Sequence, residues 1–257
     1  MRPPAHFLVR QTAGQARASG RRCKVESDVV TGGSVVRDGA ANVNAEAATR
    51  ICLVRHGETD WNVGDRIQGN LDIELNAVGL KQAAAVGRRL ATDSWDALYS
   101  SDLARARQTA ECIGAATNHE VRLLPAFRER RYGLFEGLTR TQARERFPLE
   151  YAAVERRDSE TVPPGDGESL SAHFARIAAA LQTLADVHVG QRILVVTHGG
   201  VLDLVNRFVR RLPLDTRRDF LIPNTGINRV VRDVDGWRIT EWGDVRHLAD
   251  AGRDELM

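Results

Sequence analysis

The chain has 257 residues, of which 42% are hydrophobic and 27% charged, enough for the core of one large α/β domain and ordinary for a globular protein. Its formal net charge is only +2 and no basic run is interleaved with aromatics, which excludes a nucleic-acid groove, while no apolar stretch reaches the length of a membrane span. Cys23, Cys52 and Cys112 have no paired spacing, so no disulfide framework is expected and a reducing cytoplasm is the natural setting.

Alanine, glycine, serine and arginine dominate residues 1–48 without sustained periodicity, and a disordered or poorly ordered tail is predicted there. Its first 25 residues carry arginine and no acid, which is also the crude composition of a transit peptide. A single domain is predicted over residues 49–257. The short apolar run 51–54 predicts a buried strand, and it stops at Arg55, His56 and Gly57. At the carboxyl edge of an open α/β sheet, such a placement suggests a phosphate site, with the glycine allowing backbone to approach an anion.

Residues 59–75 read as a long ordered loop over that site, and Asn76 as the cap of a helix over 77–91. A second strand is predicted over 95–99, with Ser100, Ser101 and Asp102 capping a helix that runs to about 117. Arg105 falls in the first turn of that helix, where the dipole disfavours a cation, so an anion is expected nearby. Arg107 should point elsewhere, into solvent.

A third strand is predicted over 121–124, followed by an irregular, glycine-punctuated loop over 127–137 that faces the site. One or two short helices broken at Pro148, then a turn over 163–167, make a helical cap insertion at about 137–168. Ser169 opens a strongly amphipathic helix to about 186. The apolar strand 193–196 then runs into Thr197, His198, Gly199 and Gly200, with a helix over 201–209 behind it. Strands over 226–234 and 237–242 join at Asp235-Gly236, a hairpin signal. The fold class is therefore α/β: a doubly wound, mostly parallel sheet flanked by helices, with an antiparallel edge and a small cap.

Two buried strands thus each end in His-Gly, 142 positions apart. Phosphoryl transfer requires a nucleophile in line with the leaving oxygen, cations around the three equatorial oxygens and a proton for the leaving group, and a histidine, arginine forks and a second imidazole can supply the first two. Spacing alone does not decide which histidine attacks. A cysteine phosphatase would need Cys-x5-Arg, which is absent, and the Asp-x-Asp pair Asp233 and Asp235 lies in the terminal turn. No metal-ligand motif and no P-loop occurs, so neither metal nor nucleotide is expected.

Arg55-His56-Gly57-Glu58-Thr59 resembles the signature of the histidine phosphatase superfamily, which includes the cofactor-dependent phosphoglycerate mutases; the likeness runs from about residue 50 to 242. The resemblance implies that His56 takes the phosphoryl group. It makes Arg55, Arg105 and His198 the groups that stabilise charge, Glu129 in Phe-Arg-Glu the general acid, and Asn62 and Gln68 neutral substrate contacts, with Gly69 and Gly199 completing the binding set. Glu58 and Glu136 are weaker claimants for the acid, Glu58 being expected to play a supporting part. Gln68-Gly69 before Leu71-Asp72, and the Pro-Gly-Asp-Gly-Glu-Ser-Leu run, look like the phosphatase branches. The expected activity is metal-independent hydrolysis of small phosphorylated metabolites through a phosphohistidine, with no cofactor. The alternatives are a phosphoglycerate mutase, which would use 2,3-bisphosphoglycerate, and a non-catalytic phosphate-ester binder. Tyr151, Phe147 and Arg156 of the cap are candidates to contact the leaving group. Oligomeric state, a homodimer included, is not set by the sequence.

Overall fold

The computed structural model describes residues 48–251, so the predicted tail, apart from Ala48, lies outside the described residues, as does Cys23. Strand β1 (Thr49–Arg55) pairs parallel with β4 (Arg192–Thr197) on one side and antiparallel with β5 (Ile227–Asp233) on the other. Beyond β4 lie the parallel strands β2 (Ala97–Ser100) and β3 (Val121–Leu123), and β6 (Gly236–Asp244) closes the antiparallel edge, giving the order β3-β2-β4-β1-β5-β6. This is the expected mostly parallel sheet with an antiparallel edge.

Side chains of a strand alternate between faces, and β1 divides its apolar run accordingly. Cys52 and Val54 pack with Val86 and Leu90 of α2 (Ala77–Leu90) and with Ala106, Ala110 and Ile113 of α3 (Ala104–Thr117). Ile51 and Leu53 meet Ile177 and Leu181 of α6 (Leu170–Val187) and Val201, Leu202 and Val205 of α7 (Gly199–Arg210). Both faces are covered, which is why the run is continuously hydrophobic rather than alternating.

Asn76 caps α2 as expected, its Oδ1 accepting from Gly79 N at 2.8 Å. The long loop before it contains one unanticipated turn, α1 (Asp60–Val63), built on a capping box between Thr59 and Asn62. Trp95 falls outside β2, its indole Nε1 donating instead to Leu90 O. The cap holds two helices, α4 (Arg140–Arg146) and α5 (Pro148–Glu155), separated where Pro148 starts the second. Phe135, Ala143 and Tyr151 give this insertion a small core of its own. The Gly236 turn has φ +106°, open to glycine alone without strain, and a short α8 (Arg246–Ala251), not anticipated, follows β6.

Candidate active site

The register of β1 on β4 places Arg55 opposite Thr197, so the next residue of each strand leaves the sheet at the same carboxyl edge. His56 N donates to Thr197 O at 2.9 Å, and the imidazoles of His56 and His198 lie 5.3 Å apart, tilted by 56°. His56 Nδ1 is 2.7 Å from Gly57 O; the carbonyl can only accept, so Nδ1 carries the proton and Nε2 keeps a free lone pair. A side chain at Gly57 would bring a Cβ to 2.5 Å from the Gly79 carbonyl of α2, so glycine is what lets this turn approach the helix. Burial, then the charges of Arg105 and Arg55, hold His56 well below the ordinary imidazole range, and burial followed by Arg105 does the same to His198. Both rings are neutral at pH 7.

Arg55 donates through Nη1 to Ile222 O at 2.7 Å. Arg105 is held by two carbonyls of the preceding loop, Leu71 O at 2.9 Å and Gly69 O at 2.7 Å. Burial pushes the Arg105 guanidinium down to about 10, still charged at neutral pH, and burial likewise lowers Arg55. In each arginine Nε is buried without a partner, as are His198 Nδ1 and Gln68 Oε1. Unpaired buried polar atoms are costly and uncommon, and four of them occur in this one constellation.

The caps of α3 differ from expectation. Ser101 Oγ is 2.8 Å from His198 Nε2 and accepts only weakly from Leu103 N, at 3.4 Å, ahead of the helix, while Asp102 is paired with Arg128 at 2.7 Å. Asp72 Oδ1 accepts from Ala104 N at 2.6 Å instead, which ties the loop carrying the Gly69 and Leu71 carbonyls to the helix carrying Arg105. In the tautomer where the Ser101 hydroxyl donates to Nε2, the proton of His198 resides on Nδ1.

Glu129 accepts from Arg130 N through Oε1 and from Gly200 N, at the start of α7, through Oε2, both at 2.8 Å. Asn62 Oδ1 is engaged by Thr59 N at 3.0 Å, a capping role, while the residue also lines the cavity. Gly69 and Gly199 line it as well. Glu58 Oε1 accepts from Asn76 Nδ2, and Glu136 Oε1 accepts from Asn70 N and Tyr132 N, so both brace loops. Arg107 is exposed beside Glu111, as expected.

A cavity of about 560 Å3 opens over His56, lined by seven arginines against three acids. Of the three cap residues expected at it, only Tyr151 is there. Phe147 packs on Phe135 with ring centroids 5.4 Å apart, completing the cap's own core, and Arg156 is exposed. Sequence reasoning missed Asn224, whose Nδ2 donates to His56 O at 3.0 Å. It also missed His173, buried at the cavity wall with Nε2 unpartnered. A signal existed for His173, a polar residue three positions after Leu170 and four before Ile177 on the inward stripe of α6. Among the described residues no group of three His, Cys, Asp or Glu side chains is arranged to hold a metal ion, and no helix is long and apolar enough to cross a membrane.

Residues 51–245 match the profile of the histidine phosphatase superfamily (branch 1). The chain is 42% identical over 206 residues to phosphoglycerate mutase-like protein 4 of Arabidopsis thaliana, an alignment spanning 79% of this chain and 88% of that protein. It is 40% identical to the metal-independent phosphoserine phosphatase of Arabidopsis thaliana over 79% of this chain and 85% of the relative. Among solved structures, phosphoserine phosphatase of Entamoeba histolytica in complex with 3-phosphoglyceric acid superposes with a TM-score of 0.69 at 29% identity, covering 78% of this chain and 99% of that one.

Proposed function

Because the chain belongs to the histidine phosphatase superfamily, we propose that it is a metal-independent phosphomonoester hydrolase acting on small phosphorylated metabolites through a phosphohistidine on His56. The observation that carries this reading is the set of buried atoms without partners, Arg55 Nε, Arg105 Nε and His198 Nδ1, the last a donor in its Nδ1–H tautomer, around an imidazole whose Nε2 lone pair is free. A phosphoryl dianion between the rings would satisfy all three at once. The relative named a metal-independent phosphoserine phosphatase supports the same chemistry.

In the first step His56 Nε2 attacks phosphorus in line, the P–N bond forming as the ester P–O bond breaks. Arg55, Arg105 and His198 hold the equatorial oxygens, and Gly57 O steadies the imidazole as positive charge develops on it. Glu129, in its acid form, gives its proton to the departing oxygen. In the second step Glu129, now ionised, takes a proton from water, whose oxygen attacks phosphorus to release orthophosphate and restore neutral His56. Among the described residues Cys52 and Cys112 are free thiols, which fits a proposed cytoplasmic setting.

A mutase reading draws on the name of the 42% identical relative. Incubation with p-nitrophenyl phosphate and with 3-phosphoglycerate, each with and without chelator and 2,3-bisphosphoglycerate, separates the readings. Chelator-resistant phosphate release is the expected result. Isomerisation only in the presence of the bisphosphate would replace hydrolase by mutase, and silence in every arm would leave a binder.

A further inference from the structure

Beyond the reacting histidines, α7 carries a second charged centre into the same cavity. Asp203 lies four residues after Gly199 and three after Gly200, hence on the same helix face, and lines the cavity with them. Its carboxylate is almost fully buried yet serves three guanidiniums. Oδ2 accepts from Arg157 Nη2 at 2.6 Å and Arg207 Nε at 3.0 Å, and Oδ1 accepts from Arg218 Nε at 3.0 Å. One negative charge among three positive ones leaves the cluster an excess of two; Arg157 and Arg218 line the cavity with Asp203, whereas Arg207 lies behind it.

The three arginines do different things. Arg207 is fully buried, and its remaining groups donate to Pro213 O at 2.6 Å and Thr216 O at 2.7 Å, so it folds the segment after α7. Arg157 ends the cap helix α5 in the left-handed conformation, at φ +61°, which a non-glycine residue adopts at a cost; its Nε reaches Leu214 O, fastening cap to core. Arg218 is 44% exposed at its side chain, lines the cavity and uses only Nε on Asp203. Its Nη groups meet no acceptor among the described residues.

Among the described residues, the other neighbouring acids make no hydrogen bond to Arg157 or Arg218 and are held by other groups. Glu155 is committed to Arg144 at 2.6 Å, Asp219 to Arg210 at 2.8 Å, and Glu129 to the two backbone N–H groups already named. Burial would raise Asp203, but Arg157, Arg218 and Arg207 together outweigh it and hold the carboxylate below its ordinary value, so the cluster is a charged feature. Arg218 is also close enough to Arg55 for their charges to oppose one another, which puts this centre within reach of a small molecule whose phosphate lies at His56.

We propose that Arg218, held by Asp203 beside Arg157, is a distal anion subsite that selects phosphomonoesters whose leaving group bears its own negative charge, a carboxylate or a second phosphate. The inference rests on the hydrolase reading. Arg218 presents an open pair of Nη donors to that anion as a planar fork, the geometry suited to either group. Seven arginines are more than one phosphoryl group needs, and this subsite accounts for part of the surplus.

The test compares matched esters, 3-phosphoglycerate with glycerol 3-phosphate and fructose 1,6-bisphosphate with fructose 6-phosphate, on the full chain and on R218Q and R218K. The native chain should prefer the doubly anionic member of at least one pair, and which pair shows it distinguishes carboxylate from phosphate. R218Q should reduce that preference, as a ratio of kcat/KM values, about ten- to a hundredfold, the range for a hydrogen bond to a charged group, with the loss mainly in KM and partial recovery in R218K. Hydrolysis of both members of each pair without preference, or a preference indifferent to R218Q in a variant of native melting temperature, would overturn the subsite while leaving the hydrolase standing. Release of no phosphate from any of these esters or from p-nitrophenyl phosphate would overturn both.

Discussion

Replacing Gly200 with alanine should separate leaving-group protonation from phosphoryl attack. A Cβ at that position would lie 2.1 Å from Glu129 Oε1 and 3.1 Å from Oε2. Ordinary van der Waals contact begins at 3.4 Å, so the carboxyl end must retreat by roughly 1 Å, a misplacement that costs on the order of a hundredfold in rate where geometry is critical. The three atoms nearest the new Cβ all belong to Glu129, none to the imidazole, Arg55 or Arg105. Gly200 sits in the first turn of α7, where alanine does not disfavour the helix, so folding should be preserved. The assay is a leaving-group series. Alkyl phosphates, whose alkoxides need a proton, should lose about a hundredfold in kcat/KM, whereas p-nitrophenyl phosphate, with its stable phenolate, should lose only a few-fold. E129Q should show the same selectivity, and the double variant should be little worse than either alone. Equal losses across the series, or additive losses in the double variant, would refute the assignment of Glu129 as the acid.

Two further outcomes follow from the site's construction. His56, His173 and His198 are each held by burial well below their ordinary value of 6.5. Above that value neither the folded nor the unfolded chain binds their protons; below it only the unfolded chain does, so stability falls as pH drops, by up to ~1.4 kcal/mol per pH unit for each histidine. Urea midpoints should therefore fall between about pH 7 and about pH 5.5, and unchanged midpoints would contradict the buried neutral state of these rings. Asp72→Ala removes the cap of α3 and should cost about 1 kcal/mol of stability. It should also weaken inhibition by orthophosphate several-fold, because the carbonyls steadying Arg105 lose their anchor; a stability loss with unaltered phosphate inhibition would show that the loop does not position Arg105.

The parallel strands and the edge hairpin were legible because burial on both faces leaves an unbroken apolar run and because Asp235-Gly236 permits a tight turn. The convergence of His56 and His198 was legible for the same reason, since each follows such a strand. Element ends were less so: Trp95 has strand composition but is drawn off by a hydrogen bond to Leu90 O. The cap of α3 was misread because Ser101 and Asp102, good caps by type, are engaged by His198 and Arg128 across long sequence separations. Residues whose position depends on tertiary packing rather than local pattern, Asn224, Arg157 and Arg218 among them, carried no local signal. One of the cap's two aromatic candidates, Phe147, was misassigned for a related reason. An insertion needs its own core, so Phe147 turned inward to Phe135 and left only Tyr151 at the cavity.

Covalent transfer of the phosphoryl group to one imidazole is the central step of the proposed hydrolysis. Acid-labile phosphohistidine should be trapped by rapid alkaline quenching during turnover of a radiolabelled ester, and peptide mapping should place the label on His56, with none retained in H56N. Label recovered on His198, or steady turnover with no label on either ring, would contradict it.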